Sequence, residues 1–161
     1  FNKGEPYPAP FPDTVKVTEG KVGETKVFSA VGTFDVDYDV ETEIELPNLP
    51  SGLSECQKEA VQKFIDGPLT AHEHDHESAY KTNYNGSKTI SINYKNIQDT
   101  PEMRANAIQK PSMDEHNTRH TKAVEASNKL DPWNEDIPGL DCEDKPKKDD
   151  SGGDESESES E

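Results

Sequence analysis

Leu69-Thr70-Ala71-His72-Glu73-His74-Asp75-His76 is the stretch from which the fold of this chain is read, and its last five residues spell H-E-x-x-H. Residues four apart on an α-helix lie one above the other on the same face. Asp66-Gly67-Pro68 breaks any preceding helix and starts a new one, with Pro68 suited to its first position, and Asn85-Gly86 stops it. His72 and His76 then share one face, and Tyr80 and Tyr84 continue it at further four-residue steps. Two imidazoles so placed reach one divalent cation, and Glu73 between them flanks the position left open.

Toward the C-terminus, Ser112 and Glu115 form a capping box, and Met113, His116, His120, Ala123, Val124, Ser127 and Leu130 fall on one helical face. Asp131-Pro132 ends that helix and Trp133 follows. A lone histidine on an apolar face is usually a core residue with satisfied nitrogens. Two on one face, in a chain with five histidines of which three are in the motif, point to metal instead. Zn²⁺ is the expected ion. His72 and His76 supply two ligands and His120 the expected third, with His116 as its rival or as a group supporting the site. Three protein ligands leave one position for water, as hydrolytic zinc requires. Glu73 is then the general base, and Tyr80, or Tyr84 a turn further on, can donate to an oxyanion. The plainer alternative for both tyrosines is aromatic packing. His74 faces away from the metal, Asp75 and Glu77 are solvated acids, and Arg119 pairs with Glu115 at i, i+4.

Toward the N-terminus the period changes to two. Val15 and Val17 alternate with polar residues, and Thr25 to Val31 is β-prone. Phe34, Val36, Tyr38, Val40, Thr42, Ile44 and Leu46 then fall on one side of a long strand, with Asp35, Asp37, Asp39, Glu41, Glu43 and Glu45 on the other. Pro47 and Pro50 end it. If this strand were a sheet edge, an extended substrate could add to it by main-chain pairing and its acids would favour a basic one. Carboxylates alternating along a straight strand diverge, which argues against Ca²⁺. The plain expectation is a solvated face that blocks aggregation. Ser54 and Gln57 cap a helix carrying Cys56, Ala60, Val61 and Phe64 as its apolar stripe. Ile90, Ile92 and Tyr94 mark a short strand, and Pro101 opens a short helix that Pro111 closes.

The chain has 161 residues, 29% hydrophobic and 32% charged, with a net charge of −17. That length allows one domain, expected over residues 14–140, after an extended Pro-rich arm at 1–13 and before a disordered acidic tail at 141–161. The acidic balance excludes nucleic acid as a partner and argues against anionic membrane surfaces, while leaving room for basic partners. No apolar run is long enough to span a bilayer. Cys56 and Cys142 either form one disulfide, which implies an oxidising, extracytoplasmic setting, or are two reduced thiols. A start at Phe1 rather than Met suggests a processed form with any targeting segment out of sight.

The pattern Leu69-Thr70-Ala71-His72-Glu73-x-x-His76, a downstream Glu115-x-x-Thr118-x-His120, and Trp133 resembles a bacterial family of unknown function classed among predicted zincin metallopeptidases. The resemblance covers roughly residues 24–133. It departs from the family at Thr121, where the family carries Gly after the later histidine, and in the shorter motif helix. It implies a zincin-like α+β fold, with a small antiparallel or mixed sheet beside the motif helix and a second long C-terminal helix. It also implies His72, His76 and His120 as zinc ligands and Glu73 as catalytic acid/base. The expected activity is peptide-bond hydrolysis by a monomeric, secreted zinc metallopeptidase acting on a protein or peptide substrate. The alternative is a non-catalytic zincin-fold binding module with a structural metal.

Overall fold

Period-two alternation becomes sheet over only part of its length. The computed structural model describes residues 11–144. Nearly all of the arm expected at 1–13, and the tail from 145 onward, lie outside the described residues. The described residues form two compact units, one of 11–45 with 71–134, the other of 46–70 with 135–144.

The first unit is α+β. Strands β1 (Val15–Val22), β2 (Thr25–Tyr38) and β3 (Gly86–Gln98) form an antiparallel sheet in the order β1-β2-β3. Alternating β-branched and aromatic residues put Val15, Phe28, Ala30, Phe34, Ile90 and Ile92 on one buried face, where Ala107 of the following helix joins them. Phe28 is fully buried, and a ring so enclosed contributes about 1.5–3 kcal/mol by leaving water. Asp35, Asp37 and Asp39 are exposed, and their carboxylates accept from Thr89, Ser87 and Asn85 respectively.

β2 stops at Tyr38, although the alternation of exposed and half-buried residues runs on to Ile44. The reason is the partner's length. Tyr38 pairs with Gly86, the first residue of β3, so beyond it no neighbouring strand exists. Val40 instead donates its N–H to the Asn85 side chain at 3.0 Å, and the Thr42 hydroxyl donates to Glu77. The strand read over Phe34–Leu46 is therefore a strand only in its first third. It is also the central strand, so it offers no free edge to an extended substrate.

Helix α2 (Thr70–Tyr84) carries the motif, and α3 (Pro101–Asn128) runs as one helix where two were expected. Thr100 is its N-cap, its hydroxyl accepting from the Met103 N–H at 3.1 Å. Pro111 does not close it. Ala107 and Ser112 are buried on either side, the Ser112 hydroxyl donates to the Ile108 carbonyl at 2.9 Å, and the Tyr38 hydroxyl donates to the Ser112 carbonyl at 2.9 Å. These contacts hold the helix across the bond that proline removes. Ser112 is accordingly a mid-helix residue, and Glu115 pairs with Arg119 at 2.8 Å as expected.

In the second unit Ser54 and Gln57 form the capping box expected for α1 (Glu55–Phe64). Asp66-Gly67-Pro68 does not break the helical path. Ile65–Leu69 forms a π-helical turn in which the Thr70 N–H and hydroxyl both bond the Ile65 carbonyl, the hydroxyl at 2.6 Å. The widened turn absorbs the donor that Pro68 lacks. Cys56 and Cys142 are disulfide-bonded, their Cα atoms 6.1 Å apart. Beside the bridge the Cys56 N–H donates to the Asp144 carboxylate at 2.9 Å, a favourable charge at a helix N-terminus.

Candidate metal centre

α2 buries none of its residues. It meets α3 through a seam of hydrogen-bonding rings, one per helical turn. His76 Nδ1 lies 2.7 Å from Ser127 Oγ, the Tyr80 hydroxyl 2.6 Å from His120 Nδ1, and the Tyr84 hydroxyl 2.8 Å from His116 Nδ1. Residue numbers rise along α2 as they fall along α3, so the helices run antiparallel. Arg119 sets the far end of the seam. Its guanidinium donates to the Tyr84 carbonyl at 2.9 Å and the Asn85 carbonyl at 3.2 Å, and stacks over the Tyr38 ring at 4.8 Å. The i, i+4 pair with Glu115 is thus one part of a clamp that caps the last carbonyls of α2.

At the near end His72 Nε2 and His76 Nε2 stand 3.0 Å apart. At that separation either one ring donates to the other or both aim lone pairs at a shared cation. Asp131 approaches both, with Oδ1 3.5 Å from His72 Nε2 and Oδ2 3.6 Å from His76 Nε2. One ligand atom from each of the three residues can be chosen so that all lie within 4.8 Å of one another. Zinc bonds of about 2.0–2.2 Å at tetrahedral angles place donors about 3.3 Å apart, so this donor set fits. The His72 ring stacks flat on Trp133, with centroids 4.4 Å apart and planes 9° apart. Both imidazoles are largely covered, with 10% and 19% of their side chains exposed, while the Asp131 side chain is 55% exposed and leaves the group open on that side.

Glu73 is half-buried and makes no hydrogen bond or ion pair among the described residues. Glu77, on the next turn, is fully engaged. Lys81 first, then Thr42 and His74, bond its carboxylate and hold it down to about 2. Burial, then the charge of Glu115, pushes the Tyr38 phenol up. His74 is exposed, as its place in the motif suggested.

The structure therefore brings His72 and His76 together, but neither His120 nor His116 joins the group. Their Nδ1 atoms face tyrosine hydroxyls, and the two rings stack at 6.1 Å with 10° between planes. The third group that meets the pair is Asp131, which the sequence marks only as the end of a helix. Residue type points to imidazoles on a helix face, whereas the carboxylate follows the helix. One signal was available. Ser127 was already placed on the inward face, and Asp131 follows it by one turn's worth of residues.

No family model, curated protein or solved structure matches the chain, so the assignment of this centre rests on its geometry.

Proposed function

We propose that this chain is a zincin-like, zinc-dependent metallopeptidase whose centre is His72, His76 and Asp131, with Glu73 as general base. The observation that carries this reading is the convergence of one carboxylate on the two histidines of an H-E-x-x-H helix. Three donors, rather than four, leave a coordination position open, which favours catalysis over a purely structural site. The half-exposed Asp131 gives that position access to solvent.

A divalent cation held there supplies a Lewis acid and acidifies water at neutral pH. The chain's own groups do the rest. Glu73, bound by no other side chain among the described residues, takes the proton of the attacking water and returns it to the leaving amine. Tyr80 lies one turn beyond His76. We assign its hydroxyl, backed by His120, to the negative charge that develops on the carbonyl oxygen. His116 and Tyr84 continue the same seam as supporting groups. The substrate is a protein or peptide. Substrate pairing would use β1 or β3, the two outer strands, and the acidic surface favours basic segments. The Cys56–Cys142 bridge is the basis for proposing a secreted or extracytoplasmic setting. No helix among the described residues is long and apolar enough to cross a membrane.

Glu73→Gln tests the reading. The variant should bind zinc as the parent chain does while losing hydrolysis of a casein-derived peptide mixture. If it retained full hydrolysis, Glu73 would not be the base. If the parent chain bound zinc with no hydrolysis, the non-catalytic module would take its place.

A further inference from the structure

His76 is held at both ring nitrogens by one short piece of chain. Ser127 Oγ lies 2.7 Å from Nδ1, and Asp131 Oδ2 lies 3.6 Å from Nε2. Ser127 belongs to the last turn of α3 and Asp131 follows its end. The Leu130 N–H donates to the Ser127 carbonyl at 3.0 Å and the Asp131 N–H to the Asn128 carbonyl at 3.3 Å, so a hydrogen-bonded turn sets their separation.

We propose that Ser127 is the positioning residue of the metal centre. Its hydroxyl oxygen accepts the Nδ1 proton of His76 and so selects the tautomer whose Nε2 lone pair is free for a cation. This rests on the cation-binding reading of His72, His76 and Asp131. A neutral imidazole carries one proton, and if Nε2 ligates, that proton is on Nδ1 and needs an acceptor. Ser127 is the group at that distance. Metal-ligating histidines commonly hand their second N–H to a fixed acceptor, which locks the ring plane and raises ligand basicity. His72 is oriented by another device, the flat stack on Trp133. The paired rings thus receive their orientation from two different neighbours, one polar and one aromatic.

Ser127, His76 and Asp131 also share the residue types of a nucleophile–base–acid triad, and the geometry separates the two roles. Asp131 is shared between both imidazoles rather than bonded to one ring's N–H, which suits a common cation.

The test is competition titration of Zn²⁺ into the full chain, its Ser127→Ala variant and its Ser127→Thr variant. Loss of the acceptor should weaken zinc binding about 10–100-fold, and threonine, which keeps the hydroxyl, should restore it. Unchanged affinity in Ser127→Ala overturns the proposal, and the more so if hydrolysis is lost with affinity intact, which would mark Ser127 as a nucleophile. A parent chain that takes up no zinc would sink the cation reading itself, and this inference with it. Should Ser127→Ala fail to fold, ¹⁵N spectra of the metal-free parent chain decide. A protonated Nδ1 on His76 supports the assignment and a protonated Nε2 contradicts it.

Discussion

Asp131 and His120 exchange the roles that reading by residue type assigns them. Asp131 reaches two imidazole nitrogens, whereas the His120 ring is committed through Nδ1 to Tyr80. Asp131→Ala should therefore lower zinc affinity by more than about 100-fold, beyond the effect expected for an outer partner, while His120→Ala should leave it within a few-fold. Equilibrium competition with a chromophoric chelator measures both. The opposite ranking would restore the histidine quartet. At the same scale, Asp99 shows how charge enters stability. Arg104 bonds it through Nε at 2.6 Å and Nη2 at 2.9 Å, and this holds the carboxyl below its ordinary 3.8. A carboxyl depressed on folding stabilises the protein above its unfolded value, and that contribution is lost as pH falls through the folded value. Asp99→Asn should accordingly destabilise the protein at pH 7 and narrow its loss of stability on going from pH 7 to below pH 3. Urea unfolding at the two pH values checks the sign. A variant with the same pH dependence as the parent would mean that the pair contributes nothing.

Among the elements, the motif helix and its stop at Asn85-Gly86 were legible, because helix periodicity and the breaking residues agree there. So were the capping box of α1 and the alternation of β2. What misled is specific. Pro111 reads as a stop, yet Tyr38 bonds the carbonyl of Ser112, 74 residues away in sequence, and α3 continues. Asp66-Gly67-Pro68 reads as a break, yet a π-turn carries the chain through. The strand beyond Tyr38 keeps its pattern without a partner, since exposure alternates wherever an extended segment lies against a surface. Sheet register has its own marker in Gly32. A Cβ there would lie 2.8 Å from the Val15 Cα and closer still to the Thr14 carbonyl oxygen. Gly32 pairs directly with Val15, so the clash would fall on the β1–β2 ladder. Gly32→Ala should cost about 1–3 kcal/mol, in the range of overpacked interiors, as a lower midpoint in chemical denaturation. Unchanged stability would show that β1 can move aside.

For the whole molecule, both compact units are built from two separate pieces of chain. In the second, the Cys56–Cys142 bond and the bonds from Asp144 and Leu140 to α1 join those pieces. Reduction should therefore lower stability by about 2–5 kcal/mol, as for small domains that depend on a bridge, seen as earlier melting of the far-ultraviolet helical signal. Melting indifferent to reductant would make the bridge incidental. In the first unit the sheet supplies the buried core, while α2, with no buried residue, is held by rings and hydroxyls along one seam. Such a helix turns its rings toward α3 rather than into an apolar core. The central claim is that this seam ends in a cation site of two imidazoles and one carboxylate. X-ray absorption at the zinc edge on the full chain loaded with one equivalent of Zn²⁺ tests it most directly. The account predicts two imidazole nitrogens and protein carboxylate oxygen at about 2.0–2.2 Å, with the oxygen contribution altered in Asp131→Ala. A spectrum with three or four imidazoles, unaffected by that substitution, would contradict it.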